Sequence, residues 1–412
     1  MTNSYCQLGS IKKTGSERLG IFIGLILILN NISFVPSLAS IYYAIMFMSL
    51  LFLLFQSRNI QINGIMIWLY IACIVSILLN KVPNLFHPYQ RFVSFFIMSI
   101  LLSPFMISDT LTRFRTQAFT TILYLLQYVI ILSVIFRIFG QGYDKGYFQG
   151  ITTHSMMLGP FSALCTLYCI LQILNGPPGK IKKIFYWVLV ALSLFCLLQA
   201  ASRTAFIAGI VSALVFLTVF YKDNIGRYFK RIVVLAVILV VSFPLWDQYL
   251  DKLQEKNEGG TTTLSLNSRE IYWQTRIREF ESSPFFGIGF ASVDIDNTEG
   301  STFNAADGKV ESGSSWLSSL SMTGIFGFLA LAIIFITAFV KAWRLWQDTP
   351  LLSSFFISML CFWVLHMMAE GYIYAGGSSM FFCVWILLGI IYGVSSNKEL
   401  AYEFQYKLCK QK

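Results

Sequence analysis

Arginines at the ends of apolar segments are the residues of this sequence best suited to hold an anionic substrate. Arg203 stands in a short run, Gln-Ala-Ala-Ser-Arg-Thr at 199–204, between two apolar segments. An ionisable residue at such a place is a functional candidate, because burying it without a partner is costly. Its planar guanidinium can form two parallel hydrogen bonds with a phosphate. We predict that Arg203 binds phosphate or pyrophosphate, the alternative being an arginine that only reaches the membrane interface.

A polar segment later in the chain carries more arginines on a predicted helix. Asn267 followed by Glu270 resembles a capping box, which predicts a helix start, and Ser283-Pro284 predicts its end. An amphipathic helix of this kind can lie on a membrane surface and cover a site. The side chains that share one face at helical spacing are Arg269, Trp273, Arg276 and Phe280.

Arg269 is the strongest candidate on this helix because it stands near the aromatic pair Tyr272-Trp273. The apolar faces of sugars stack on aromatic rings, whereas their hydroxyl and phosphate groups need hydrogen-bond partners such as guanidinium groups. We therefore predict a sugar-phosphate site formed by Arg269, Arg276, Tyr272 and Trp273. The alternative, a solvated helix face, is expected to hold for at least one of the arginines Arg269, Arg276 and Arg278.

Two glutamates border apolar segments on the same predicted side as these arginines. Glu311 precedes one such segment and Glu370 follows another. A carboxylate can accept the proton of a sugar hydroxyl and so act as a general base. It can equally pair with one of the arginines, and the two roles are compatible. We predict that Glu311 or Glu370 is catalytic.

The three histidines do not form a metal-binding pattern. His87 stands beside Pro88 in a predicted loop and is interpreted as structural or solvated, and His366, within an apolar segment, as a packing residue. His154 opens an apolar segment on the side of the arginines, so we include it among the substrate-binding candidates. Because no histidine pair or Cys/His cluster has the spacing of a zinc site, we predict neither a metal nor a cofactor.

The composition is typical of a membrane protein. Apolar residues make up 56% of the 412 residues and charged residues only 12%, and the mean hydropathy is +0.67. A soluble protein carries about 25% charged residues. The net charge of +10 comes largely from short basic segments between apolar runs, as the preference for basic residues in cytoplasmic loops predicts. We interpret this charge as a sign of membrane topology and predict no nucleic-acid partner.

Apolar runs near the length of a membrane-crossing helix, about 20 residues, recur along the chain. We predict an all-α polytopic membrane protein with about twelve transmembrane helices, the first of which is an uncleaved span rather than a signal peptide. The predicted helices cover 19–35, 38–55, 62–80, 91–107, 118–139, 154–174, 184–200, 203–221, 232–247, 314–340, 352–369 and 379–395.

Basic residues near the ends of these runs predict the orientation of the chain. Nineteen lysines and arginines fall on the side of the N-terminus, and five fall in the short loops and span ends of the other side. Because cytoplasmic loops are enriched in basic residues, we predict a multi-pass protein of the cytoplasmic (inner) membrane with both termini in the cytoplasm. The predicted order is a cytoplasmic segment 1–18, helices 1–9 within 19–247, an extracytoplasmic loop 248–313 with the amphipathic helix, helices 10–12 within 314–395 and a cytoplasmic tail 396–412.

Three stretches in the second half of the chain resemble the O-antigen ligase/polymerase superfamily. They are Ser202-Arg203-Thr204-Ala205; Asn267-Ser268-Arg269 with Trp273, followed by Ser283-Pro284-Phe285-Phe286-Gly287-Ile288-Gly289-Phe290; and Trp316-Leu317 followed by Gly324-Ile325-Phe326-Gly327. Their order and spacing are similar to the family's characteristic region over about residues 185–340. A twelve-helix layout with a large outer loop between helices nine and ten is also similar to that of the family.

The resemblance implies glycosyl transfer without a metal on the outer face of the membrane. It implies a donor glycan on polyprenyl pyrophosphate, held through its pyrophosphate by Arg203 and Arg269. An acceptor hydroxyl then attacks the anomeric carbon with inversion. The expected partners are the lipid-linked donor and acceptor, the lipid bilayer, a flippase and a chain-length regulator.

One departure from the family pattern bears on the reaction. Ligases that glycosylate lipid A core carry a histidine-asparagine pair just before the aromatic-leucine of helix ten, where this chain has Gly313 and Ser314 ahead of Trp316-Leu317. The role of that histidine in activating the acceptor therefore does not carry over, and the nearest titratable residue is Glu311. This favours a polymerase of O-antigen, capsule or exopolysaccharide repeat units over a ligase. The stretch 370–372, Glu-Gly-Tyr, is also similar to a fragment of such polymerases.

A twelve-helix transporter or flippase is the main alternative from another functional class. Transporters built from two six-helix halves have a long cytoplasmic connection between the halves. In this chain the connection between predicted helices six and seven has only about nine residues, and the long loop follows helix nine. The predicted helices also lack mid-membrane acidic residues that could relay protons.

Overall fold

The computed structural model describes residues 13–144, 146–176, 179–223, 226, 267–295, 303–304 and 309–409. In these residues the chain forms thirteen α-helices, two short 3-10 turns and three small β-ladders in the connections. The predicted all-α class is confirmed. Seven helices of the described part are long and apolar enough to cross a membrane by length and composition, and the chain is a polytopic membrane protein.

Eight helices precede the gap at 227–266, and five follow it. The first eight are α1 Gly15–Leu29, α2 Ala39–Gln56, α3 Gly64–Asn80, α4 Pro88–Leu102, α5 Asp109–Ile138, α6 Ser155–Leu174, α7 Lys180–Gln199 and α8 Arg203–Phe220. The last five are α9 Asn267–Ser282, α10 Ser315–Arg344, α11 Pro350–His366, α12 Ser379–Ser396 and α13 Lys398–Cys409. The ladders pair β1 Gln61–Ile62 with β2 Met106–Ile107, β3 Tyr143–Asp144 with β4 Tyr147–Phe148, and β5 Phe303–Asn304 with β6 Lys309–Val310.

Eleven of the twelve predicted spans coincide with one of these helices. The ninth, 232–247, lies outside the described residues, as does much of the predicted outer loop. Some observed helix ends differ from the predicted ones. Helix α1 begins at Gly15, four residues before the predicted start, because Thr14 and Glu17 form a capping box. Helix α4 begins at Pro88 and ends at Leu102 rather than covering 91–107, and a 12-residue helix, α13, occupies most of the predicted tail.

Helix α10 is broken at Gly324, whose φ of 64° and ψ of −169° are not helical. The segment 283–290, which follows α9, fills the break. The backbone N–H of Ile325 donates to the carbonyl of Pro284 at 2.9 Å, and that of Ile288 donates to the carbonyl of Ser321 at 2.8 Å. These bonds satisfy backbone groups that a broken helix would otherwise leave unpaired in the membrane.

The glycines at this junction are required by close backbone approach. Gly287 has a φ of 71°, and a Cβ there would collide with the backbone of Met322. A Cβ at Gly324 would likewise collide with the backbone of Phe285. Both positions have a positive φ, which side chains disfavour. The glycine-containing motif in 283–290 is therefore the segment that docks onto α10 and fixes where α9 lies.

Antiparallel packing gathers the helix connections at two ends of the bundle. At one end, which we call the cavity end, Ile32 bridges Thr152, and segment 283–290 meets the end of α3 through a hydrogen bond from Asn80 to the Gly287 carbonyl at 2.8 Å. At the opposite end α13 is held by ion pairs. Arg113 of α5 lies 2.6 Å from Glu403, and Lys398 lies 2.8 Å from Asp348.

Candidate functional site

A cavity of about 790 Å³ lies at the cavity end, between two walls. One wall is formed by α2 and the start of α4, and the other by residues 310–322 at the head of α10. Loop 371–378, between α11 and α12, also lines the cavity. The side chains that the first wall contributes are Tyr43, His87, Gln90, Arg91 and Ser94, and those of the second include Glu311, Ser312, Ser315, Ser318 and Met322.

Loop 371–378 connects the two walls. At its start the Ser315 hydroxyl donates to the carbonyl of Glu370 at 2.7 Å and accepts the N–H of Tyr372 at 3.0 Å. Towards its end the loop packs on α4, where a Cβ at Gly376 would lie 3.3 Å from the backbone of Ser94. The head of α10, the end of α11 and α4 are thus tied together through one short segment.

Arg269 lies between the two candidate glutamates. Its Nη2 donates to Glu370 Oε1 at 2.5 Å, whereas its Nη1 is 3.9 Å from Glu311 Oε1. Glu311 is 46% exposed and lines the cavity, and Glu370 is only 17% exposed and does not line it. The structure therefore shows the arginine–carboxylate pairing that the sequence left open as one role of these acids. Of the two carboxylates, Glu311 is the one with direct access to the cavity.

Arg276 lies on the same helix but faces the protein interior. Its side chain is 1% exposed and its Nη1 donates to Glu279 at 2.8 Å, to the Ser292 carbonyl at 3.1 Å and to the Ser321 hydroxyl at 3.2 Å. A buried cation held by a carboxylate and two further acceptors links α9 to the following segment and to α10. The structure does not bring Arg276 to the cavity, although the sequence placed it among the substrate-binding candidates.

The two aromatic candidates on α9 do not line the cavity. Tyr272 packs on Gly313, where an added Cβ would lie 2.5 Å from the Tyr272 Cβ and where φ is 65°. The place of a side chain at position 313 is therefore taken by Tyr272. Trp273 is half-buried, and its indole N–H has no hydrogen-bond partner among the described residues.

Arg203 and His154 lie at the cavity end but not in the cavity wall. Helix α8 packs antiparallel to α11, with Phe216 near its end against Phe355 near the start of α11. Arg203, at the start of α8, therefore lies towards the end of α11, from which Glu370 follows. His154 is exposed at the start of α6. Both remain candidate ligands.

His366 and Tyr372 form a buried pair beside this cluster. The Tyr372 hydroxyl lies 2.9 Å from His366 Nδ1, and the imidazole stacks on Phe362. Burial raises the pKa of the Tyr372 phenol well above its ordinary value, and the charge of Glu370 adds to the effect. The phenol therefore stays protonated and acts as a hydrogen-bonding anchor of loop 371–378. His366 is a packing residue with one polar partner.

Sequence reasoning missed the cavity residues of α4. Arg91 lines the cavity, although the sequence provided only its place on the predicted outer side. His87 lines it as well and is exposed, with a φ of 45° at the turn into α4. One feature of the sequence could have identified Arg91, because it is one of only five basic residues in the short loops and span ends of the predicted outer side. A basic residue that opposes the topological bias needs another reason to be there.

Comparison with known proteins places the site in a family context. Residues 188–332 match the family model described as O-antigen ligase. This region runs from α7 through α8 and α9 into α10, past the break at Gly324, and it includes Arg203, Arg269 and Glu311. The resemblance to the O-antigen ligase/polymerase superfamily is confirmed, and the match does not separate ligase from polymerase. No curated protein matches the chain.

Proposed function

We propose that this membrane protein, whose central region matches the O-antigen ligase family, polymerises polyprenyl-pyrophosphate-linked oligosaccharide repeat units on the outer face of the cytoplasmic membrane. The observation that carries the proposal is the Arg269 cluster, in which one cation and two carboxylates adjoin a cavity of about 790 Å³. Glycosyl transfer from a lipid pyrophosphate needs a cation at the leaving group and a base at the acceptor. The cluster supplies both kinds of group.

The unequal contacts of Arg269 support different roles for the two acids. Glu370, at 2.5 Å, fixes the guanidinium beside the cavity. Nη1, at 3.9 Å from Glu311, is beyond hydrogen-bond distance of that carboxylate and can turn to an oxygen of the donor pyrophosphate. Arg203 is the proposed second ligand of the same pyrophosphate, from the start of α8. Glu311, which lines the cavity, is the proposed general base.

The proposed reaction is a single inverting displacement. The oxygen of an acceptor hydroxyl attacks the anomeric carbon of the donor, and the bond between that carbon and the pyrophosphate oxygen breaks. The electron pair of the broken bond leaves with polyprenyl pyrophosphate, whose developing charge Arg269 stabilises. The proton of the acceptor hydroxyl passes to the carboxylate of Glu311. The proposal uses no metal and no cofactor.

A ligase that moves the glycan to a different acceptor is the alternative within the family. The two activities differ in what accumulates when the gene is deleted and the surface glycans are analysed. We expect single repeat units in place of long chains. Long chains that remain on the lipid carrier would instead indicate a ligase.

An assay with purified protein distinguishes polymerase and ligase activity from transport. We expect the protein in detergent to lengthen polyprenyl-pyrophosphate glycans without ATP, since no membrane gradient exists in detergent and the bond broken in the donor supplies the free energy. A protein that restores long chains in cells but leaves these glycans unchanged in detergent would indicate a transporter or flippase. Arg269→Ala at wild-type membrane levels is the matched inactive control.

A further inference from the structure

The part of the cavity wall that α4 contributes has no part in the reaction described above. It consists of His87, Gln90, Arg91 and Ser94, at the turn into α4 and on its first two turns, and we call it the α4 wall. We propose that the α4 wall is a second anion site, which holds the pyrophosphate of the lipid-linked acceptor. This inference rests on the proposed polymerase function.

A repeat-unit polymerase has to bind two pyrophosphates at once. The donor pyrophosphate leaves from the reacting carbon, so it lies at the point of bond formation. The acceptor pyrophosphate stays attached to its glycan, at the opposite end of the repeat unit from the attacking hydroxyl. One cavity that holds both substrates therefore needs two cationic groups at different places.

The two arginines approach the cavity from different elements, Arg269 from α9 and Arg91 from α4. Loop 371–378 begins next to Glu370, the partner of Arg269, and reaches α4 at Gly376, which packs on Ser94 one turn beyond Arg91. The six-residue step from Glu370 to Gly376 can span at most roughly 20 Å. Arg269 thus stands near the start of the loop, beside the cavity, and Arg91 lines the cavity near the end of the loop.

The surroundings of the α4 wall fit an amphiphile with an anionic head. The Arg91 guanidinium can form two parallel hydrogen bonds with a phosphate, and the Gln90 amide can donate another. On the same helix Tyr89 and Val93 are 60% and 52% exposed, and Tyr43 of the neighbouring α2 is partly exposed beside the cavity. A pyrophosphate at Arg91 therefore places its polyprenyl chain against the outward apolar surface of α2 and α4. A soluble anion would make no use of that surface.

Initial-rate polymerisation with two acceptors of the same glycan tests this assignment. Both carry the repeat unit that accumulates in the deletion strain, one on a polyprenyl phosphonate analogue of the pyrophosphate and the other on a neutral alkyl chain, so that neither can act as donor. The donor in both assays is the same repeat unit on polyprenyl pyrophosphate with its attacking hydroxyl blocked, so that it cannot act as acceptor. We expect Arg91→Gln to raise the KM for the charged acceptor about tenfold or more, since a charge-assisted hydrogen bond is lost, and to leave the KM for the neutral acceptor unchanged. Arg91→Lys should raise the former severalfold, because a point charge replaces the bidentate fork.

The matched control is Lys81→Gln, which removes an exposed basic residue of the same end that does not line the cavity. It should leave both KM values unchanged. An unchanged KM for the charged acceptor in Arg91→Gln, or an equal rise for both acceptors, would overturn the inference, the second result meaning that Arg91 contacts the glycan. If Arg91→Gln is not recovered as folded protein, Arg91→Lys decides on the same criteria. Wild-type protein that transfers the donor glycan to neither acceptor would overturn the proposed function itself.

Discussion

The guanidinium of Arg269 contacts its two glutamates unequally, and the roles proposed for the two acids rest on this inequality. Glu370 is close and mostly buried, as suits a residue that positions a cation. Glu311 is more distant, more exposed and in the cavity wall, as suits a residue that meets substrate. The sequence offered both acids as equal candidates, because each borders an apolar segment on the same predicted side.

The first prediction distinguishes base from positioning residue. Glu311→Gln should lower the polymerisation rate by about 10²–10⁴-fold, the usual contribution of a general base. It should also remove the fall in rate at low pH that protonation of the base produces in the wild type. Glu370→Gln should cause a milder loss and keep the shape of the pH profile. The measurement is the rate against pH in vitro, and near-wild-type profiles for both variants would mean that neither acid is the base.

The second prediction concerns the arginines. Arg269→Ala and Arg203→Ala should each abolish polymer while the protein still reaches the membrane, and Arg→Lys at either position should lose most of the activity because a bidentate fork is replaced by a point charge. Arg278→Ala is the control, an exposed arginine of the same helix α9. Polymer length on gels and membrane levels by immunoblot are the measurements. Full activity in Arg203→Ala would remove that residue from the site.

At the scale of elements, the site depends on how α9 and α10 are joined. Segment 283–290 enters the break of α10 at Gly324. The buried pair of Arg276 with Glu279 lies on α9, a few residues before this segment in the sequence. Both features hold α9 so that Arg269 faces Glu370. Their substitution should therefore affect folding as well as activity, unlike substitution of Arg269 itself.

The third prediction tests the close backbone approach at this junction. Gly287→Ala should lower the free energy of unfolding by clearly more than Gly140→Ala, although both glycines have a φ above 70°. At Gly140 an added Cβ meets nothing within 4 Å, so only the backbone cost of about 1–2 kcal/mol applies. At Gly287 the Cβ also meets the backbone of Met322. Thermal unfolding in detergent measures the difference, and equal effects would show that the junction can relax.

The fourth prediction tests the interior role of Arg276. Arg276→Ala leaves the buried Glu279 carboxylate without its cation, which typically costs about 3–5 kcal/mol. We expect a lower yield of folded protein and a lower melting temperature, whereas Arg269→Ala, at a partly exposed pair, should keep a near-wild-type melting temperature. A stable but inactive Arg276→Ala would instead support the substrate-binding role predicted from the sequence.

At the scale of the whole molecule, the two ends of the bundle differ in chemistry. The cavity end carries the Arg269 cluster and the α4 wall. The opposite end carries the ion pairs of α13 with α5 and with the turn between α10 and α11. The basic-residue count predicts that the opposite end is cytoplasmic. The proposed reaction requires this orientation, because we propose that it takes place on the outer face of the membrane.

The fifth prediction tests the orientation. In a background without native cysteines, Gly260→Cys, in the predicted outer loop and outside the described residues, should react with a membrane-impermeant thiol reagent on intact cells or spheroplasts. Lys398→Cys, at the start of α13, should react only after permeabilisation. The reverse pattern would contradict the orientation and remove the outer-face mechanism with it.

The sequence by itself determined the membrane class, eleven helix positions and the extent of α9, because hydropathy, periodicity and capping are properties of neighbouring residues. It also placed Arg269, Glu311 and Glu370 on one predicted side, because alternating spans assign sides. It did not predict the break at Gly324 or the helix α13. A helix break or helix end that depends on contact with another segment cannot be predicted from the neighbouring residues in the sequence.

Only the tertiary structure decided which of the candidates meet. Arg269 and Glu370 are 101 residues apart in sequence and 2.5 Å apart in space, and Arg91 shares a cavity with Glu311, which lies more than 200 residues later. Arg276 stands on the same predicted helix face as Arg269, yet the docking of segment 283–290 onto α10 buries it with Glu279. Which helix ends lie side by side depends on the packing of whole helices, and no local pattern specifies it.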